Sequence, residues 1–553
     1  MLRPRLAMIP VVLVLIFSVP LAFAQGTRTQ IEEVFEQTKA IRRLQASPDI
    51  KVNFLSREQL EERMLEDFEK DNPEEEMNDA EEIMEMLGFI DPDLDLKQFY
   101  IALLTEQIAG FYDPEDDGLY LISEEQESMS VTDRYTLSHE FVHYLQDANF
   151  DLMRPPFHDP EDAEVKTDDD ASFAATCLVE GDAMIASEFW LTEYVDVSDM
   201  LKMQLESGDY SSQVLDSAPE YIRDGLLFPY TEGADFVRYI HKRGGFAAVD
   251  AAFANPPTTT EQIYHPEKYL GGEGALKVSL EDLSPILGEG FKLDYDNVLG
   301  EFDVFELLKP YMRKSAAERA AEGWGGNYYH YYSNDAGAKV LVQEYVWDSA
   351  KDAQEFVSAY LEYVKGRFGK EAVEGRATGA WKTWKTQDYH LGIKIDGDRT
   401  WLAQSTEEMP FRKTLSFLGE EGEAITEGAL EEGEETTGAE TDLTWLVVTV
   451  VVGMLVLGLA LVVAMLVVNR RLPGSPATPT GAPRGPYFYP PPPQPPLNVP
   501  PPPGTPAMPQ TRVPPPPGPS GPTGGMPHEA GGLMPPGTAP GMQVVEEGPE
   551  GER

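Results

Sequence analysis

Charged and apolar positions recur with a helical period over residues 25 to about 100. IEEVFEQTKAIRRL and SREQLEERMLEDFEK read as amphipathic helices on either side of a short strand, IKVNFL, with Ser56 as N-cap of the second. The helix DLKQFYIALLTEQIAG follows and ends at Gly110. FYDPEDDGLYLIS then gives two short strands, Phe111-Tyr112 and Leu119 to Ile122, joined by an acidic turn.

The next helix carries TLSHEFVHYLQD, residues 136 to 147. Leu137, Phe141, Tyr144, Leu145 and Ala148 form its buried stripe, while Thr136, His139, Glu140, His143 and Asp147 gather on the other side and face a cleft. ASFAATCLVEGDAMIASEFW (171 to 190) is a helix that offers Glu180 inside an otherwise apolar, small-residue stretch. After about residue 271 the order becomes helix, YYHYYS and KVLVQEYVW strands, the helix SAKDAQEFVSAYLEYVKGRF, and strands around HLGIKIDGDRTWLAQS. The fold class is α+β, with 25–270 as the main domain and 271–418 as a small α+β accessory domain.

Two stretches are apolar without any period. Residues 1–24 have Arg3 and Arg5, an apolar run and Ala22-Phe23-Ala24, the pattern of a secretory signal peptide. Residues 444–468 hold the uncharged run from Trp445 to Val468, enough for a transmembrane helix. Asn469-Arg470-Arg471 after it and the acidic linker 419–443 before it put the N-terminal domains outside the cytoplasm and the C-terminus inside. The tail 469–553 is Pro-rich and disordered, either a passive spacer or a ligand for a cytoplasmic partner with aromatic-lined grooves.

The net charge of −52 argues against nucleic acid or anionic lipid as partners, because a phosphate-binding surface needs clustered Lys and Arg. Ca2+ is the cation this acidity suggests, in DPDLDL (91–96) or TDDD (167–170), although neither has the ordered spacing of a calcium loop. The single cysteine, Cys177, leaves no intramolecular disulfide, so the outer part is held by its core.

Only eight histidines occur in 553 residues, yet two stand four apart with a glutamate after the first. Chance would place His-Glu-x-x-His in about one such chain in a hundred, so the pattern carries weight. On a helix, His139 and His143 lie one turn apart and can aim two imidazoles at one metal. Glu140, beside them, can reach a metal-bound water without binding the metal. A catalytic zinc site needs a third protein ligand. A third histidine in the compact HExxHxxGxxH arrangement is excluded by Gln146 and Asn149. Glu180 is the leading alternative, with Gly181 and Ala183 allowing close approach to the zinc helix. Cys177, His158 and the acids at 167–170 are further candidates. His241, His330 and His390 read as surface or structural.

HEFVH at 139–143, Asp147, the strand GLYLI and Glu180 in LVEGDA together resemble the gluzincin zinc metallopeptidases, thermolysin-like in the broad sense. The segments FPYTEG and HPEKY resemble stretches that follow the same motifs in largely uncharacterised bacterial proteins, and the resemblance covers roughly residues 97 to 270. It implies Zn2+ held by His139, His143 and Glu180, Glu140 as general base, and a peptide or protein substrate added as a strand at the edge Leu119 to Ile122. Tyr230 or His265 is the implied oxyanion donor. In the thermolysin-like pattern an aspartate four residues after the ligand glutamate orients a zinc histidine. Here that position is Met184, and Asp182 is turned away on its helix, so the support falls to Asp147 or an acid of the preceding loop.

The expectation is a membrane-anchored zinc metallopeptidase. The alternatives are a catalytically silent zinc-containing binding or sensory module, or an envelope scaffold that works through residues 271–418.

Overall fold

The computed structural model describes residues 25–425, except 49, 60–61, 63–73, 93, 108–109, 115–117, 123–128, 159–166, 208–212 and 377. The chain divides into two units, Met1–Thr441 and Asp442–Arg553, and every described residue belongs to the first. The signal-like segment, the apolar run 445–468, the Pro-rich tail and the linker beyond 425 lie outside the described residues. Among the described residues no helix is long and apolar enough to cross a membrane.

The N-terminal segment folds as α1 (Gln25–Arg42), β1 (Lys51–Leu55), α2 (Glu74–Leu87) and α3 (Leu96–Gln107). Gly110, expected to end α3, instead opens β2 (Gly110–Asp113), which pairs antiparallel with β3 (Gly118–Ile122). β1 pairs parallel with β3 on its other side. The strand expected at an open edge is therefore the middle one of three, in the order β1-β3-β2. Sequence spacing did not reveal this, because the covering strand comes from more than sixty positions earlier, in IKVNFL.

The HEFVH helix is α4 (Val131–Phe150), started by a capping box between Ser130 and Asp133. Leu137, Phe141, Tyr144 and Leu145 are buried against α1 and the small sheet, with Phe35 at 5.0 Å from Phe141. Ala148, expected in that stripe, is exposed. Val142 belongs to the larger core on the opposite side, so α4 is clamped between two packed layers.

The helix α5 (Asp169–Tyr194) packs on α4 and α1 and most extensively on α6 (Glu220–Gly244). α6 is followed by α7 (Phe246–Ala254) and the short α8 (Thr260–Tyr264). Small residues set the α5/α6 approach: a Cβ on Gly233 would stand 2.6 Å from the Cys177 carbonyl oxygen, and one on Gly181 would overlap the Gly233 backbone. Gly181 thus admits α6 rather than the HEFVH helix, a correction to the close approach expected from the sequence.

The remainder is a seven-stranded antiparallel sheet, β4 (Lys292–Asn297), β5 (Trp324–Ser333), β6 (Lys339–Trp347), β7 (Val373–Glu374), β8 (Lys382–Lys385), β9 (His390–Asp396) and β10 (Arg399–Ser405), in the order β4-β5-β6-β10-β9-β8-β7. With the helices α9 (Glu301–Leu308), α10 (Lys314–Ala321), α11 (Ala350–Phe368) and α12 (Glu408–Phe417) it completes a mixed α+β architecture. The architecture changes near residue 271, but the core continues across it. Phe302 packs on Phe173 and Phe228 at 5.3 and 4.8 Å, and Arg367 donates to the Met86 and Glu85 carbonyls at the end of α2. His330 is buried within this sheet, its Nδ1 2.8 Å from the Tyr332 hydroxyl.

Candidate metal centre

His139 and His143 project from one face of α4, as their four-residue spacing requires, and α5 brings Glu180 against them. Both Nε2 atoms converge on the same oxygen: Glu180 Oε2 lies 3.1 Å from His139 and 3.4 Å from His143. Ligand atoms about 2.0–2.2 Å from a tetrahedral ion stand about 3.3–3.6 Å from one another. The three donors fit a small divalent cation on distance and on chemistry, two imidazoles and one carboxylate.

Burial alone would lower the His143 pKa, but the Glu180 carboxylate outweighs it and lifts it to about 9. Burial works in the opposite sense on Glu180, and the charges and hydrogen bonds of His143 and His139 hold that carboxyl well below the usual range. The pocket therefore favours a charged carboxylate facing positive charge.

Glu140 does not join the three donors. It is buried, which pushes its carboxyl up, and the two histidines pull it back while Glu180 adds to the rise. Its carboxylate accepts the backbone N–H of Tyr112 on β2. The Tyr112 hydroxyl donates to Asp147 Oδ2 at 2.9 Å. One β2 residue thus holds two acids seven positions apart on the same face of α4. Asp147 also accepts the Leu152 N–H at 2.9 Å, in the turn where α4 ends. These contacts tie Asp147 to β2 and to the end of the helix.

Tyr230 stands within α6, three residues before the Gly233 contact, with its ring 6.2 Å from that of His139 and its hydroxyl bonded to Glu180. The residue is 39% exposed, yet its hydroxyl end is desolvated against the site, and this, with Glu180 and Glu140 nearby, raises its pKa well above the ordinary value and keeps the proton on it. His265 is engaged elsewhere, its Nε2 3.0 Å from Glu301 Oε1. Cys177 is fully buried, with its thiol pushed up by burial, and belongs to the α5/α6 core.

The acids at 167–170 serve the start of α5. Asp168 caps the helix, Asp169 meets Tyr295, and buried Asp170 accepts from the Thr260 N–H and hydroxyl at 3.0 and 2.6 Å. In the other acidic stretch, Asp95 accepts the Gln98 N–H at the start of α3.

Sequence reasoning missed the side chains behind the ligands. Gln146 served only to exclude a third histidine, yet its Oε1 lies 2.9 Å from His143 Nδ1 and its Nε2 donates to Val179 O and Asp182 Oδ2, both at 2.9 Å. Asp182 is turned off the Glu180 face of α5, as a two-residue step demands, and reaches the site along the α4/α5 seam through Gln146. Arg42, fully buried, pairs with Asp182 at 2.8 Å and with Asp250 on α7 at 2.6 Å. Burial would lower the arginine's pKa, and the two carboxylates more than compensate. A signal for Arg42 was present, since Val34, Thr38 and Arg42 share one stripe of α1 and all three are buried.

A second group of acids, Glu261, Glu273 and Asp348, surrounds Nζ of Lys268 at 2.6, 3.1 and 2.6 Å. The ammonium takes the place a cation would need.

Residues 290–410 match a family model described as a domain of unknown function, DUF8575. The match spans the seven-stranded sheet and contains none of the metal-centre residues. No curated protein and no solved structure matches the chain.

Proposed function

We propose that the protein is a gluzincin-like zinc metallopeptidase, anchored by the apolar run 445–468 with its N-terminal part outside the cytoplasm. The observation that carries the reading is the convergence of two Nε2 atoms on one Glu180 oxygen, with Glu140 held apart by the Tyr112 N–H. A structural metal site has no use for a separate buried carboxylate next to its ligands.

His139, His143 and Glu180 would hold the ion. A zinc ion supplies Lewis acidity there and lowers the pKa of water. Glu140 takes the proton of the attacking water and passes it to the leaving amine, a task suited to a carboxyl whose pKa burial has raised. The Tyr230 hydroxyl, still protonated, donates to the developing oxyanion of the peptide carbonyl. With β3 covered on both edges, an extended substrate would add to the outer edge of β2, the strand that touches Glu140.

The test is metal content and casein hydrolysis of the purified full-length protein beside Glu180→Ala and Glu140→Gln. One zinc per chain, lost in the first variant and retained without activity in the second, supports the reading. A folded wild type without zinc removes it.

A further inference from the structure

We propose that Gln146 is the positioning residue of the metal centre, and that Asp182 and Arg42 set its direction. This rests on the zinc reading of the site.

The argument follows from which atoms can donate. A carboxylate and a main-chain carbonyl only accept, so the amide nitrogen of Gln146, 2.9 Å from both Asp182 Oδ2 and Val179 O, must face them. Its two N–H groups are then both used. The amide oxygen is left facing His143 Nδ1 at 2.9 Å, and an oxygen in that place requires the ring to carry its proton on Nδ1. The lone pair of a neutral His143 is thereby confined to Nε2, the atom aimed at Glu180 and the metal position. A metal-bound histidine needs this arrangement, with one nitrogen on the ion and the other donating to a fixed acceptor.

Asp182 holds that direction only if it stays in place, and Arg42 fixes it there. The arginine comes from α1, 140 residues away, and reaches Asp182 through Nε at 2.9 Å and Asp250 through Nη1 at 2.6 Å. Three helices, α1, α4 and α5, therefore meet in one buried chain of polar contacts that ends on a ligand ring, and α7 adds the half-exposed Asp250 at its far end. The chain takes the place of the aspartate that thermolysin-like enzymes would carry at the position of Met184.

The test uses the full-length protein and reads zinc affinity by competition with a chromophoric chelator, independent of turnover. Gln146→Met keeps the length and removes both halves of the relay, and its zinc affinity is expected to fall by about 10–100-fold. Gln146→Glu keeps the length and an acceptor for His143 Nδ1 but sets carboxylate oxygens against Asp182 and the Val179 carbonyl, so its zinc affinity should fall less than that of Gln146→Met while its metal-free unfolding midpoint falls more. That opposite order of the two variants in affinity and in metal-free stability supports the assignment. If Gln146→Met does not fold, Gln146→Leu takes its place in the comparison. Unchanged affinity in Gln146→Met, or affinity losses that follow the metal-free midpoints in the same order, overturns the positioning role while leaving the zinc reading intact. A wild type that binds no zinc overturns both.

Discussion

Gly181 on α5 and Gly233 on α6 meet backbone to backbone, with no room for a Cβ on either. The contact places Glu180, next to the first glycine, beside Tyr230, one turn before the second. Gly181→Ala must push the helices apart, since the obstacle is main chain and cannot rotate away. The expected cost is about 1–3 kcal/mol in urea unfolding, together with weaker zinc retention. Unchanged stability would show that the helices can separate without strain.

Tyr230→Phe removes one hydroxyl and leaves the ring. With Tyr230 as oxyanion donor, kcat falls by about 10²–10³ while zinc content and KM hold. His265→Ala, at a residue paired with Glu301, leaves kcat unchanged. The reverse pattern in steady-state kinetics would exchange the two assignments.

Arg42→Met leaves the fully buried Asp182 without its counter-charge, while Asp250, 39% exposed, still reaches water. Breaking a buried pair in this way costs about 3–5 kcal/mol. The prediction is a lowered unfolding midpoint for the metal-free protein as well as the loaded one. A loss confined to the loaded form would instead place Arg42 in metal binding alone.

Several carboxyls at the junction between the helices and the sheet have pKa values raised by burial, Asp303 to about 6, Asp169 and Glu261 to about 7, and Glu306 to about 8. The unfolded chain releases these protons near pH 4, so the native state binds more protons above that pH. Their contribution is complete below about pH 4 and is lost as pH rises through 6 to 8, by at most about 1.4 kcal/mol per pH unit for each group. Asp303→Asn removes one titration and keeps an oxygen for the Gly300 N–H, while its amide nitrogen donates to the Tyr221 hydroxyl, which then accepts. Thermal unfolding from pH 4.5 to 8.5 should decline less steeply in the variant than in wild type. Parallel curves would exclude Asp303 as a source of the slope.

Chelation should lower the unfolding midpoint, and added zinc should restore it. Free zinc at 100 times its dissociation constant adds about 2.7 kcal/mol. Glu180→Ala should show no such response in a calorimetric scan.

What the sequence determined by itself is local. Helical spacing sets His139 and His143 on one face of α4, and a glutamate in the middle of an otherwise apolar, small-residue stretch marks Glu180 as the third donor that the structure brings to them. The α+β class was legible from the change of period along the chain. Only the tertiary structure decided the partners that lie far apart in the chain. β1 covers the edge of β3, Gly181 receives α6 instead of α4, His265 turns to Glu301, and Arg42 reaches Asp182 across 140 positions. Periodicity says which face of an element is buried, because that follows from backbone geometry alone. It does not say against what, because that depends on how all the faces share one core and on where each buried charge finds its counter-charge.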